Sequence, residues 1–134
     1  MPHLQFDINK KLDKGVKQKF ISFVEHSFSE IMETGTDHIA ISIREQEKSN
    51  LSLGRANKNE DVCLMNLDIR SGRKKKQIEK LVKTLMVGVN KIFKIKVSNQ
   101  YTTITNHPGH EFNLFEKSLS NWKANDDPTN QQSH

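Results

Sequence analysis

One cysteine, three prolines and no apolar run of bilayer length rule out several classes of protein at once. With a single cysteine no disulfide forms within the chain, and Cys63 lies inside the apolar run "VCLMNLDI" with nothing beside it that marks a reactive thiol. A reducing, cytoplasmic setting is the simplest expectation. No stretch approaches the roughly 18 apolar residues of a membrane span, and no basic segment followed by an apolar core opens the chain. Neither a membrane partner nor a cleaved leader is expected. Phe and Tyr occupy apolar stripe positions or strand ends, which leaves no evident platform on which nucleic-acid bases would stack.

At 134 residues the length fits one domain, able to bury about two-thirds of its unfolded surface. Lys and Arg outnumber Asp and Glu, 21 against 16, for a net charge of +5. The excess attracts anions, polymeric or small. The run "RKKKQ" keeps a small basic nucleic-acid-binding module open as a reading of another class, with steep salt dependence as its signature.

Periodicity supplies the architecture. "HLQFDI" alternates Leu4, Phe6 and Ile8 on one face, as a half-buried strand does. From Asp13, a predicted N-cap, Val16, Phe20, Val24, Phe28, Ile31 and Met32 recur at helical spacing up to Gly35, a predicted stop. "HIAISIRE" is the next strand. After a polar stretch with a short "LSL" run, "VCLMNLDI" begins a second copy, whose helix carries Ile78, Leu81, Val82, Leu85, Val89 and Ile92 and whose last strand is "QYTTITN".

Aligning "LQFDI" with "MNLDI" gives a period of about 60 residues. The prediction is an α/β (α+β) domain over 1–119, in which two pseudo-symmetric βαβ units, about 2–45 and 62–106, form one mixed four-stranded sheet with both helices on one face. The segment 120–134 has too little apolar content to pack and is expected to be disordered. The other sheet face receives Gln5, Asp7, Ala40, Ser42, Arg44, Asn66 and Asp68, with Val62 and Leu64 in the same parity. Such a face is either solvated surface or the partly wet inside of a symmetric oligomer.

Pro2 opens the first strand. Proline is tolerated as a first strand residue and blunts an edge. The pattern "MPH", the pair in "SIRE", the turn "RSGRKKKQ" and the late "NHPGHEFN", in this order over residues 2 to 119, together resemble the tautomerase superfamily, in particular the 5-carboxymethyl-2-hydroxymuconate isomerases. The resemblance implies that Met1 is removed and that the nitrogen of Pro2 is the catalytic base. An α-amino group titrates near ~8, and partial burial with arginines nearby lowers it toward neutrality, where a general base works best.

The resemblance further implies that Arg73 anchors a substrate carboxylate, with Arg70 a lesser contributor at the N-terminus of the second helix. Arg44 would serve the pocket of a neighbouring subunit. For the arginines, solvation or pairing with Asp68 or Glu45 stays open. Arg70 stands where the isomerase pattern has glycine and resembles the Arg-x-x-Arg of cis-3-chloroacrylic acid dehalogenases. His26 matches a histidine of that group, though a helix-surface histidine is the plainer reading. Thr105 stands where those enzymes have a tyrosine, and Glu111 is a loose match to their water-activating glutamate. "LQFDI" also resembles malonate semialdehyde decarboxylases. His107, His110 and Glu111 flank a Pro-Gly turn rather than holding metal-ligand spacing, so neither metal nor other cofactor is expected. The implied function is cofactor-independent tautomerisation of a small unsaturated 2-hydroxy or 2-oxo carboxylate by a homotrimer, with dehalogenation, hydration or decarboxylation as alternatives. "QEKSNLSLGRANKNED" is expected near the pocket mouth.

Overall fold

The computed structural model describes residues 2–118; Met1 and the segment 120–134 predicted to be disordered lie outside the described residues. Strands β1 (His3–Ile8), β2 (Ala40–Glu45), β3 (Cys63–Arg70) and β4 (Gln100–His107) form one sheet in the order β2-β1-β3-β4. β1 pairs with β2 in parallel and with β3 antiparallel, and β3 pairs with β4 in parallel. Helices α1 (Lys14–Met32) and α2 (Lys75–Phe93) are the two crossovers. This is the mixed sheet that two βαβ repeats require.

Alternation decides which face the helices cover. Leu4, Phe6 and Ile8 of β1 and Cys63, Met65, Leu67 and Ile69 of β3 are buried beneath Phe20, Val24, Phe28 and Met32 of α1 and Leu81, Leu85, Val89 and Phe93 of α2. Phe6 meets Phe20 edge-on at 4.9 Å between centroids, and Phe20 lies 4.2 Å from Phe93, so one aromatic column ties the sheet to both helices. Each fully buried side chain of this size contributes about 1.5–3 kcal/mol of transfer free energy.

The repeat is close. Lys14 to Met32 and Lys75 to Phe93 are the same length, and each end is offset by 61 residues. Both helices end in a left-handed non-glycine residue, Glu33 (φ 55°) and Lys94 (φ 60°). Gly35 is therefore not the helix stop that composition suggested: the turn is made two residues earlier, where Ser29 O accepts the backbone N–H of Glu33 and also that of Thr34 at 3.1 Å. Asp13 occupies the N-cap position without a side-chain cap bond.

Where the helices cross, Gly88 faces Phe23, and a Cβ built there would lie 2.1 Å from the ring. The glycine permits close approach. "LSL" forms no strand; its neighbourhood holds a 3-10 turn at Lys48–Asn50 and loop. A short hairpin, β5 (Asn113–Leu114) with β6 (Lys117–Ser118), was not expected from the sequence. Among the described residues no helix is long and apolar enough to cross a membrane.

Candidate active site

The antiparallel register sets His3 opposite Asp68, so the end of β3 lies beside the start of β1. β4 runs parallel to β3 and sets His107 opposite Arg70. The last turn of α1 and the first turn of α2 arrive at the same end of the sheet. Pro2 before β1, Asp68 and Arg70 of β3, Arg73 in the turn before α2, His107 of β4 and Glu111 in the 3-10 turn Gly109–Glu111 thereby come to one end of the sheet from five segments.

Pro2 is buried, and its carbonyl accepts the N–H of Ala40 at 3.1 Å, which fixes the head of β1 against β2. Beyond Arg70 the chain turns through Ser71, whose N–H donates to His107 O at 2.8 Å, and Gly72, whose φ of 99° belongs to the region glycine occupies without strain. Arg70 is half-buried and, among the described residues, its side chain makes no hydrogen bond or ion pair.

Arg73 reaches this end too, but Nη1 donates to Met32 O at 2.9 Å, closing an orphan carbonyl of α1. Gln77 closes its neighbour, with Nε2 3.2 Å from Ile31 O. Burial, and then the charge of Arg70, pull the Arg73 guanidinium below its ordinary value, while Glu33 acts in the opposite sense.

The side-chain network at this end was not foreseen from the sequence. His107 Nδ1 lies 2.8 Å from Glu111 Oε1 and Nε2 lies 3.3 Å from Asp68 Oδ1. The hydrogen bond to Glu111, then that to Asp68, raise the imidazole pKa against a smaller desolvation effect. Asn66 Nδ2 donates to the same Asp68 oxygen at 3.2 Å, and Asn66 Oδ1 accepts from Thr103 and Thr105 at 2.9 and 3.2 Å. Asp68 was read only as a sheet-face residue and possible ion partner, and His107 only as part of the "NHPGHEFN" segment and as a weak metal ligand. The available signal was parity: Asp68 and Arg70 share one face of β3, and a parallel β4 puts His107 on it.

Other candidates lie elsewhere. Arg44 pairs with neither Asp68 nor Glu45 but with its register partner Asp7: Nη2 donates to Oδ2 at 3.0 Å, and Nε lies 2.7 Å from Oδ1, a contact too poorly aligned for a hydrogen bond. Five strand positions separate that pair from Pro2, about 16 Å. Glu45 instead accepts the N–H of Leu12 at 2.6 Å and pairs with Lys17 at 3.1 Å. His26 is on the exposed face of α1, 3.3 Å from Glu30, and is not among the residues gathered near Pro2. Residues 46–61 run at the opposite end, where Lys48, Leu51, Asn57 and Glu60 line a cleft with Asn9. Among the described residues, no group of His, Cys, Asp and Glu is arranged to hold a metal ion.

No protein-family model matches the sequence, and no curated protein matches it. Solved structures do match. A member of the cis-3-chloroacrylic acid dehalogenase family aligns over 87% of this chain and 82% of its own, with a TM-score of 0.75 at 15% identity. A fused 4-OT, described as an asymmetric trimer, aligns over 89% of this chain and 97% of its own, with a TM-score of 0.76 at 14% identity. The macrophage migration inhibitory factor of Toxoplasma gondii aligns over 87% and 98%, with a TM-score of 0.74 at 10% identity. These are tautomerase-superfamily proteins, and the fold of this chain is the tautomerase fold.

Proposed function

We propose that this chain is a cofactor-independent tautomerase that moves a proton within a small unsaturated 2-hydroxy or 2-oxo carboxylate, with the nitrogen of Pro2 as base once Met1 is removed. One observation carries the reading: Arg70, a cation without a carboxylate partner among the described residues, stands at the sheet end where β1 begins with Pro2. A guanidinium fork holds a carboxylate in two parallel bonds and draws charge toward a developing dienolate. Arg70 is the main anchor and Arg73 the lesser, because one Arg73 nitrogen already holds α1.

The chain works as a closed homotrimer in the cytosol. In support, the face bearing Ser42, Gln5, Asn66 and Thr103 has no helix over it among the described residues, Tyr101 on it is 56% exposed, and the similar fused 4-OT is described as a trimer. Arg44, whose side chain is 56% exposed beside Asp7, reaches a neighbour's pocket in that assembly. Light scattering at micromolar concentration is expected to give a trimer mass; a monomer that keeps full activity overturns the shared site.

The deciding experiment couples mass spectrometry of the N-terminus to an assay of enol-acid ketonisation, for instance with phenylenolpyruvate and no added metal. A chain starting at Pro2, active, and slowed on the order of a hundredfold or more in Pro2→Ala is expected. Retained Met1 in most molecules, or full activity in Pro2→Ala, removes the mechanism. A second reading, hydration with halide release from 3-haloacrylates, draws support from the position of Glu111, which reaches this end of the sheet through His107. It requires halide release that vanishes in Glu111→Gln.

A further inference from the structure

The two helices of the repeat carry different outer faces. α1 has three lysines and two glutamates, whereas α2 has five lysines and Glu79 as its sole acid. Lys76, Lys80, Lys83, Val87 and Lys91 recur at spacings of three and four, so they lie within about 80° of one another around α2, and all are exposed. Lys10, Lys17, Lys48 and Lys96 each meet a carboxylate; among the described residues none of the four lysines in this stripe does, although Glu79 stands only four residues before Lys83. Like charges at these spacings work against a helix. Lys74 at the N-cap and Lys75 and Lys76 in the first turn stand, moreover, where the helix dipole favours anions. An anionic partner would relieve both.

The stripe has an apolar floor beside it. Phe23 of α1 with Thr84, Val87 and Gly88 of α2 line a groove of about 300 Å³, which Lys83 and Lys91 also border, one turn before and one turn after Val87. Val87 is 45% exposed. A Cβ at Gly88 would lie 2.1 Å from the Phe23 ring, so the wall there is ring against backbone. The main apolar stripe of α2, with Leu81, Leu85 and Val89, is already spent in the core, which separates this helix from one that lies on a membrane surface.

We propose that this groove docks an acidic peptide segment of another protein, a short run of Asp and Glu whose one aliphatic side chain seats on Val87 and Phe23 while its carboxylates pair with Lys80, Lys83 and Lys91. Lys76 to Lys91 spans about 22 Å along α2, the reach of about seven extended residues. Nucleic acid fits less well. A phosphodiester gains nothing from an apolar groove between two cations, and Phe23, the one ring lining it, is covered on one side by Gly88. Lys83, Val87 and Lys91 lie two turns or more beyond the start of α2, so the inference does not depend on the tautomerase reading. The trimer proposed above closes over the helix-free face and leaves this one open.

Fluorescence anisotropy of a labelled eight-residue peptide, acidic except for one central leucine, tests this at about 0.1 M salt. The comparisons are the same peptide with serine for leucine and an oligothymidylate of equal charge. The full chain is expected to bind the leucine peptide with a Kd on the order of 10–100 μM, about fivefold tighter than either comparison. Lys83→Glu with Lys91→Glu should weaken it about tenfold. Lys11→Glu with Lys58→Glu, the same change of net charge at exposed positions of the opposite sheet end, should weaken it less than about twofold. Val87→Ser should erase the preference for leucine. No saturable binding up to about 1 mM, equal binding of the two peptides, or equal loss in the two double variants overturns the proposal. Tighter binding of oligothymidylate, lost in Lys83→Glu with Lys91→Glu, assigns the face to nucleic acid and overturns it too. A smaller assembly mass in Val87→Ser makes the groove a contact between copies, with the same consequence. A chain that ketonises no enol acid leaves all of these outcomes readable.

Discussion

The two ends of the sheet are copies of one another and are closed differently. At the far end Lys10 donates to Phe93 O at 3.0 Å, the last carbonyl of α2; at the proline end Arg73 donates to Met32 O, the last carbonyl of α1, 61 positions earlier. The cations then part company. Lys10 and Lys48 both bind Asp61, Lys96 binds Glu60, and Asn9, 2% exposed, is bonded to Glu60 O and the Val62 N–H. Arg70 and Arg73 have no carboxylate within ion-pair distance among the described residues. Duplication supplies two equivalent positions, and the end with unneutralised guanidinium is the one suited to an anionic substrate.

The most damaging way to test this difference is to remove the open cation. Arg70→Ala is expected to lower kcat/KM for enol acids roughly a hundredfold, with the folded state little changed, because Arg70 bonds to nothing that holds the fold. Steady-state kinetics alongside urea denaturation reads both quantities. A variant equally active, or one that unfolds early, would make the proline end another structural clamp.

The two clamps allow a matched pair. Arg73→Ala and Lys10→Ala each leave a helix C-terminal carbonyl without its cation and should cost about 1–3 kcal/mol in urea unfolding. Only Arg73→Ala should also slow catalysis, and by less than Arg70→Ala.

A milder perturbation is pH, and the two ends should respond with opposite sign. For Asp61, desolvation raises the pKa, but hydrogen bonds from Lys48 and Lys10 outweigh it and hold the carboxyl below its ordinary 3.8. Its contribution is present above that value and lost as pH falls through the lowered one. His107 is raised above its ordinary 6.5, so its contribution is full below 6.5 and lost as pH rises through the raised value. Amide-exchange protection factors should therefore drop first at Asn9 N–H, bonded to Val62 O, in acid, and at Ser71 N–H, bonded to His107 O, in base. Loss at both amides together in either direction would mean the ends do not open separately.

These differences explain what could be read before the fold was known. Alternation in "LQFDI" and "MNLDI" and the two apolar stripes are local, and they placed all four sheet strands and both helices. The pairing of first strands followed from the repeat, and with it the placing of Arg70 at the sheet end where β1 begins. Helix ends were less legible: Glu33 adopts the left-handed turn although Gly35 is near, because the bond to Ser29 O and the Arg73 contact fix the terminus. The Asp68–His107–Glu111 cluster depended on the β3–β4 register and on the 3-10 turn Gly109–Glu111, neither of which has a local signature. Arg44 and Asp7, each adjacent to other candidate partners, were resolved only by register.

The finest comparison is between the residues that occupy one position in the two copies. With the 61-residue offset, Pro2 corresponds to Cys63. Cys63 is fully buried, and burial, with the charge of Asp7 adding to it, pushes its thiol up to about 12. Near pH 8 only about one molecule in ten thousand would carry the reactive thiolate, and the surrounding core excludes reagent. Iodoacetamide should therefore leave Cys63 unmodified in the native protein over hours and label it promptly in urea. An amine-selective acylating reagent near neutral pH should, in the same native sample, label Pro2 once Met1 is absent, because a base with lowered proton affinity is an available nucleophile. Peptide mapping by mass spectrometry reads both outcomes. Native-state alkylation of Cys63 at the rate of an exposed thiol would show the far end opening as readily as the site, and the contrast between the two ends would then reside in chemistry alone, not in access.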